Sequence, residues 1–125
     1  MLLDTSGLFL YLQGDHDALL LFEASGRKIT HSHVLSELVA LAQVRGLPRQ
    51  STLRFVEAIV EHPNIEVVWV DEALHMAAMH LLQMRLDKSY SLCDAVSFVI
   101  MRGRGVSEAL TTDHHFTQEG FICLL

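Results

Sequence analysis

The sequence predicts an α/β fold with a mainly parallel sheet, on three observations. Short apolar or β-branched runs alternate with helical patterns over the whole length. The clearest run, Ile65-Glu66-Val67-Val68-Trp69-Val70, is nearly continuous in apolar residues, as expected of a strand buried on both faces. No linker, internal repeat or low-complexity segment interrupts the alternation, so residues 1–125 are expected to form a single domain.

Leu2 and Leu3 form a short apolar strand that runs directly into Asp4-Thr5-Ser6-Gly7, which is turn and cap chemistry. Residues 8 to 13 predict the first helical turns, Gly14-Asp15-His16-Asp17 breaks them, and Ala18 to Ala24 restarts a helix that ends at Gly26. Arg27-Lys28-Ile29-Thr30 gives a second brief strand. Ser32 is expected to cap a helix with Val34, Leu38, Leu41 and Ala42 at the 3.6-residue period, ending near Gly46 with Pro48 just beyond. Ser51 to Glu61 predicts another helix, stopped by His62-Pro63-Asn64 ahead of the third strand. Asp71 is expected to cap a helix over 72–86, and Ser91 opens one that ends at Gly103 or Gly105. Glu108 to Thr112 and Phe121 to Leu125 supply two last strands.

A chain of 125 residues buries roughly two-thirds of its unfolded surface around one core. Its longest apolar runs fall far below the roughly 20 residues needed to cross a bilayer. The start Met-Leu-Leu-Asp-Thr lacks a basic and then apolar leader, so a cytoplasmic location without membrane contact is expected. Cys93 and Cys123 are too few for a disulfide framework and have no metal-type spacing. The net charge of −6 argues against a protein that holds nucleic acid mainly by a basic surface. An enzyme acting on nucleic acid remains open, with Arg45, Arg49, Arg54, Lys88, Arg102 and Arg104 available for a local basic rim or for ordinary solvated faces.

In an open α/β sheet, ligands bind outside the carboxyl ends of the strands. Asp4 follows the first strand and Asp113 the fourth, while Glu37 and Asp94 fall near helix starts, and a parallel fold brings all these positions to one edge. Each acid also has an ordinary explanation. Asp4 or Thr5 can cap the next helix; Asp94 completes Ser91-Leu92-Cys93-Asp94, a capping pattern; Asp113 suits a turn or a cap. Glu37 is the more informative, because on a helical wheel it falls between Leu41 and Val44, inside the arc expected to face the sheet, where an unpaired charge is costly. His33 stands one turn earlier at the expected mouth, and Asp87 is a less well placed fifth acid that neighbouring Lys88 can pair. The helix after Asp94 is apolar nearly all round, so its amide-rich N-terminus should face the crevice and favour phosphate. Four carboxylates in one pocket suit hard divalent cations, above all Mg²⁺ or Mn²⁺. No phosphate-binding Gly-x-x-x-x-Gly-Lys loop, Gly-x-Ser-x-Gly elbow or His-Glu-x-x-His helix offers a rival chemistry, and the eight histidines match no standard zinc spacing.

Leu3-Asp4-Thr5-Ser6, Val34-Leu35-Ser36-Glu37-Leu38, Ser91-Leu92-Cys93-Asp94-Ala95 and Leu110-Thr111-Thr112-Asp113-His114-His115-Phe116, closing on Gly120-Phe121, together resemble the PIN-domain ribonucleases, including the VapC-type toxins of bacterial toxin-antitoxin pairs. The resemblance covers essentially the whole chain. It implies an α/β/α sandwich with strand order 3-2-1-4-5 and an acidic pocket holding Mg²⁺ or Mn²⁺ for cleavage of single-stranded or structured RNA. It carries the catalytic and metal-binding role onto Asp4, Glu37, Asp94 and Asp113, with Thr5 or Ser6 and Thr111 or Thr112 as supporting hydroxyls. It also implies a homodimer and, for a toxin, an antitoxin partner that inserts a basic side chain near the pocket. The alternatives are a catalytically silent interaction module on the same fold, and a phosphatase, which the lack of an Asp-x-Asp pair after the first strand disfavours.

Overall fold

The computed structural model describes all of residues 1–125. In chain order the elements are β1 (Leu2–Leu3), α1 (Thr5–Leu12), α2 (His16–Glu23), β2 (Lys28–His31), α3 (Ser32–Val44), α4 (Arg49–Glu61), β3 (Ile65–Val68), α5 (Glu72–Gln83), α6 (Leu92–Arg104), β4 (Glu108–Leu110), α7 (His114–Gln118) and β5 (Ile122–Cys123). The strands form one sheet in the order β3-β2-β1-β4-β5, and every neighbouring pair is parallel. This is the α/β architecture and strand order expected of the resemblance.

Strand periodicity divides the core into two layers. Leu2, Ile29 and Ala109 point to the face covered by α5, α6 and α7, where they join Ala78, Tyr90, Val96, Phe98, Met101 and Phe116. Their chain neighbours Leu3 and Leu110 point the other way, joining Leu8, Phe9, Val34, Leu35, Leu38 and Ile59 from α1, α3 and α4. Both faces of the sheet are covered, but β3 lies at its edge: it ends at Val68, only Ile65 is buried, and Trp69 is 62% exposed, so the apolar run is less buried than expected.

The sheet reverses direction of growth at β1, which is flanked by β2 on one side and β4 on the other. Pairing of Leu2 with Ala109 and of Leu3 with Leu110 sets the last residues of the two strands side by side. The Asp4 N–H continues this ladder by donating to Leu110 O at 3.2 Å. Asp4 and Thr111 consequently leave the sheet together, at the carboxyl edge.

Several boundaries differ from expectation. Helix α1 begins at Thr5 rather than Leu8, because Asp4 has extended backbone (φ −94°, ψ 162°) and is itself the N-cap residue. His31, not Ser32, caps α3, its Nδ1 accepting from Val34 N–H at 3.4 Å; the Ser32 hydroxyl instead accepts from Val70 N–H at 3.0 Å, tying α3 to the end of β3. The five-residue helix α7 follows Asp113, which takes the cap role rather than the turn, although no helix was expected there. Its one buried residue, Phe116, packs edge-on against Phe98 with ring centroids 4.9 Å apart.

Gly7 sets how closely α1 approaches the sheet. A Cβ at this position would lie 2.1 Å from the Leu110 carbonyl oxygen, a backbone atom that cannot move aside. Gly7→Ala is therefore expected to destabilise the fold by about 1–3 kcal/mol through overpacking, despite the better helix propensity of alanine. Urea denaturation should show a lowered midpoint; an unchanged midpoint would mean that α1 is not held at this distance.

Candidate metal centre

The site is built on the pairing of β1 with β4. Asp4 is only 5% exposed and its side chain makes no cap bond to α1. It is held from β4 instead: the Thr111 hydroxyl donates to Asp4 Oδ2 at 2.7 Å. Ser6 Oγ lies 3.1 Å from Thr111 Oγ1 and accepts from Thr112 N–H at 3.0 Å, so the first turn of α1 and the end of β4 are stitched together by hydroxyls. Of the hydroxyl pairs expected in support, Ser6 and Thr111 bond within this network. Thr112 is exposed and contributes only its backbone N–H. The Thr5 hydroxyl is buried with no hydrogen-bond partner in the protein.

Asp94 occupies the first turn of α6 and does both things its sequence context allowed. Its Oδ2 accepts from Ser91 N–H at 3.1 Å while Ser91 Oγ accepts from Asp94 N–H at 3.0 Å, a complete capping box. The same Oδ2 lies 3.0 Å from His115 Nδ1. Asp113 caps α7, its Oδ1 accepting from His115 N–H at 2.9 Å and lying 3.4 Å from His115 Nδ1. The far ring nitrogen of His115 lies 3.2 Å from Ser89 Oγ, and its ring meets Tyr90 edge-on with centroids 5.3 Å apart. Asp94, Asp113 and His115 thus offer ligand atoms that all lie within 4.8 Å of one another.

His115 was not singled out from the sequence. The available signal was the cap itself: an Asp113 that opens a helix hydrogen-bonds the amide two residues later, which brings the side chain of that residue beside its own carboxylate. Glu37 also departs from expectation. The buried arc of α3 is Val34, Leu35, Leu38 and Ala42, whereas Val44 is 82% exposed, so Glu37 lies on the solvent flank of the helix rather than within the apolar arc. Its charge still reaches the pocket, acting on both Asp4 and Cys93. Asp87 stands apart, exposed and 3.5 Å from the Lys88 ammonium, as expected of a paired surface acid.

The electrostatics are those of an acid cluster with no cation of its own. Burial pushes the Asp4 carboxyl up to about 7; the Thr111 and Thr5 hydrogen bonds oppose this, and the charges of Asp94 and Glu37 add to it. Asp94 is raised in the same direction, chiefly by burial and also by Asp113, against the hydrogen bonds from Ser91 and His115. Burial and the surrounding carboxylates also push the Cys93 thiol up, so it stays protonated and unreactive.

A family model for the PIN domain matches residues 1–121. The chain belongs to the PIN-domain family. Among solved structures, this PIN domain is similar to Mycobacterium tuberculosis VapC20, a sarcin-ricin loop cleaving toxin. The TM-score is 0.84 at 28% sequence identity, over 97% of this chain and 95% of that one. No curated protein sequence matches it.

The side chains present fit the divalent metal that PIN nucleases use. Asp94 and Asp113 would supply hard oxygen donors within reach of one ion, whereas Asp4 stands outside that close group and is coupled to it through the charge of Asp94; its raised carboxyl marks a place where a positive charge would offset a standing cost. The unpartnered Thr5 hydroxyl beside Asp4 is a further buried polar atom without a protein partner.

The metal-free protein should show this cost in its stability. Asp4 is raised from 3.8 to about 7, so between those values the native state binds more protons than the unfolded chain, and stability falls as pH rises, by up to about 4 kcal/mol. His31, fully buried and bonded to Ser97 Oγ at 2.8 Å, is lowered from 6.5 to about 3 by burial and by His33. Its effect is opposite: stability is lost as pH falls below 6.5. The two offset each other in the wild type, and Asp4→Asn removes only the first. In EDTA, Asp4→Asn is expected to melt above the wild type at pH 7.5, with the advantage shrinking steadily toward pH 5. Paired thermal melts check this, and an advantage that grows on acidification would have the wrong sign.

Proposed function

We propose that this PIN domain is a metal-dependent endoribonuclease, using Mg²⁺ or Mn²⁺ held by Asp4, Asp94 and Asp113 with Glu37 at the rim, and that it is the toxin of a toxin-antitoxin pair. The observation that carries the proposal is the buried Asp4 carboxylate. Although Asp4 is the N-cap residue of α1, its carboxylate is oriented chiefly by a 2.7 Å hydrogen bond from Thr111 of the neighbouring strand end, within the field of Asp94 and Glu37. A silent interaction module has no use for that arrangement. The nature of VapC20 as a sarcin-ricin loop cleaving toxin supports structured RNA as the substrate class.

The roles follow from the bonds each group makes. Thr111 and Ser6 fix the rotamer of Asp4, and the Ser91 amide and His115 hold Asp94 by one oxygen, leaving the other for a cation. Bound there, a divalent ion supplies activation of water and neutralisation of the charge that develops on the phosphate. The start of α6 adds the positive end of a 13-residue helix facing the scissile phosphate. An antitoxin would silence such a site by bringing a cationic side chain to the same carboxylates.

Purified protein should cut a labelled RNA stem-loop in Mg²⁺ or Mn²⁺ and stop in EDTA. Asp4→Asn and Asp94→Asn are expected to lower the rate by on the order of 10²-fold or more. Asparagine at 94 keeps an oxygen to accept from Ser91, so loss of activity in that variant does not reduce to loss of the helix cap. Cleavage that survives EDTA and both substitutions would overturn the proposal.

A further inference from the structure

We infer that Glu119 is a positioning residue of the metal centre: its buried carboxylate, clamped by Arg85 and Arg102, fixes α7 against α6 and so holds Asp113 and His115 beside Asp94. The inference rests on the metal centre proposed above and adds to it a residue outside the pocket.

Helix α7 has five residues, far below the roughly 12–15 at which an isolated helix becomes even marginally stable. Its placement must come from what it is attached to. Phe116, buried against Phe98 of α6, anchors the middle of the helix, and two polar attachments run between α6 and the two ends of the α7 segment. At the pocket, His115 in the first turn of α7 meets Asp94 in the first turn of α6 at 3.0 Å. At the other end, Glu119, the C-cap residue of α7, meets Arg102 in the last turn of α6 at 2.6 Å.

The two attachments differ in kind. The first is made by groups that belong to the pocket, and Asp94 must be free to share its carboxylate with a cation. The second is remote from the pocket and saturated. The Glu119 side chain is 2% exposed; Arg85 donates to it through Nε at 3.0 Å and through a terminal nitrogen at 3.3 Å. Arg102 pairs with the remaining carboxylate face and also donates to the Glu119 backbone carbonyl at 3.0 Å, with its guanidinium 5.2 Å from the centre of the Phe121 ring. Arg85 comes from the turn after α5, so the clamp ties three segments at one point.

A buried carboxylate with two arginines is a poor choice if packing alone is needed, because apolar side chains of similar volume stabilise about as well. What the ionic version adds is direction. Planar guanidinium forks accept the carboxylate in few orientations, and these fix the rotation and the axial position of the α7 end. With Phe116 holding the middle of α7 on Phe98, the clamp sets the rotation of the helix that brings Asp113 and His115 to Asp94.

Mn²⁺ uptake, followed by the loss of the electron paramagnetic resonance signal of the free ion, tests this without relying on cleavage. Glu119→Gln, measured well below its melting temperature, is expected to bind Mn²⁺ about tenfold more weakly, the loss typical when a group that orients metal ligands is removed. A second variant, Arg85→Met with Arg102→Met and Glu119→Leu, replaces the whole clamp by apolar volume. It is expected to melt near the wild type and still bind Mn²⁺ weakly. Full Mn²⁺ affinity in Glu119→Gln, or its full recovery in the apolar variant, would overturn the positioning role. Wild-type protein that takes up no Mn²⁺ would overturn the metal centre and the role of the clamp together, whereas tight wild-type binding unaffected by Glu119→Gln would overturn the clamp alone.

Discussion

The structure depends on one unfavourable act, the burial of the Asp4 carboxylate. Parallel pairing of β1 with β4 places it next to Thr111, the small Gly7 lets α1 close over the Leu110 carbonyl, and the hydroxyls of Ser6 and Thr111 fix its rotamer. All of these details hold an acid where an acid is costly. The charges of Asp94 from α6 and Glu37 from α3 raise the cost further, and Asp113 at the β4–α7 corner raises the carboxyl of Asp94 in turn. A proton or a divalent cation relieves it. The raised carboxyl of Asp4 is what the proposed metal centre would relieve by supplying the cation.

The rest of the charge distribution supports this division of labour. Of six cations considered for a basic rim, Lys88 pairs with Asp87, Arg102 with Glu119 and Arg104 with Glu66, so half are committed to acids. Arg45 lies over the Phe9 ring and Arg49 donates to Gln43. The protein does not present a broad basic surface to its substrate, in keeping with the net charge of −6. On the proposed function, affinity for a phosphodiester would come from a bound cation and from the start of α6 rather than from a basic surface.

Much of this was legible in the sequence, for physical reasons that differ by element. The buried strands showed themselves as apolar runs, and the sequence placed Asp4, Asp94 and Asp113 at strand ends and a helix start, which is where the structure has them. The order of the strands came only through the resemblance to PIN domains, since alternation alone does not say which strands pair. Helix α7 escaped because five residues are too few to show a period; Asp113 was open to turn or cap duty, and the cap it makes sets the place of His115. Glu37 was misplaced because Val44 was counted with the apolar arc, although it is exposed. Glu119 gave no local signal, since its partners lie 34 and 17 residues away.

The most direct test of the account is calorimetric titration of the metal-free protein with Mn²⁺ in buffers of different ionisation enthalpy. If the cation replaces the proton on Asp4, binding near pH 6 should release about one proton, and above pH 8 almost none. Saturable binding at one site with that pH dependence is the result predicted here. Absence of saturable binding, or binding with no proton release at pH 6, would contradict the claim that the buried carboxylate of Asp4 exists to hold a metal ion.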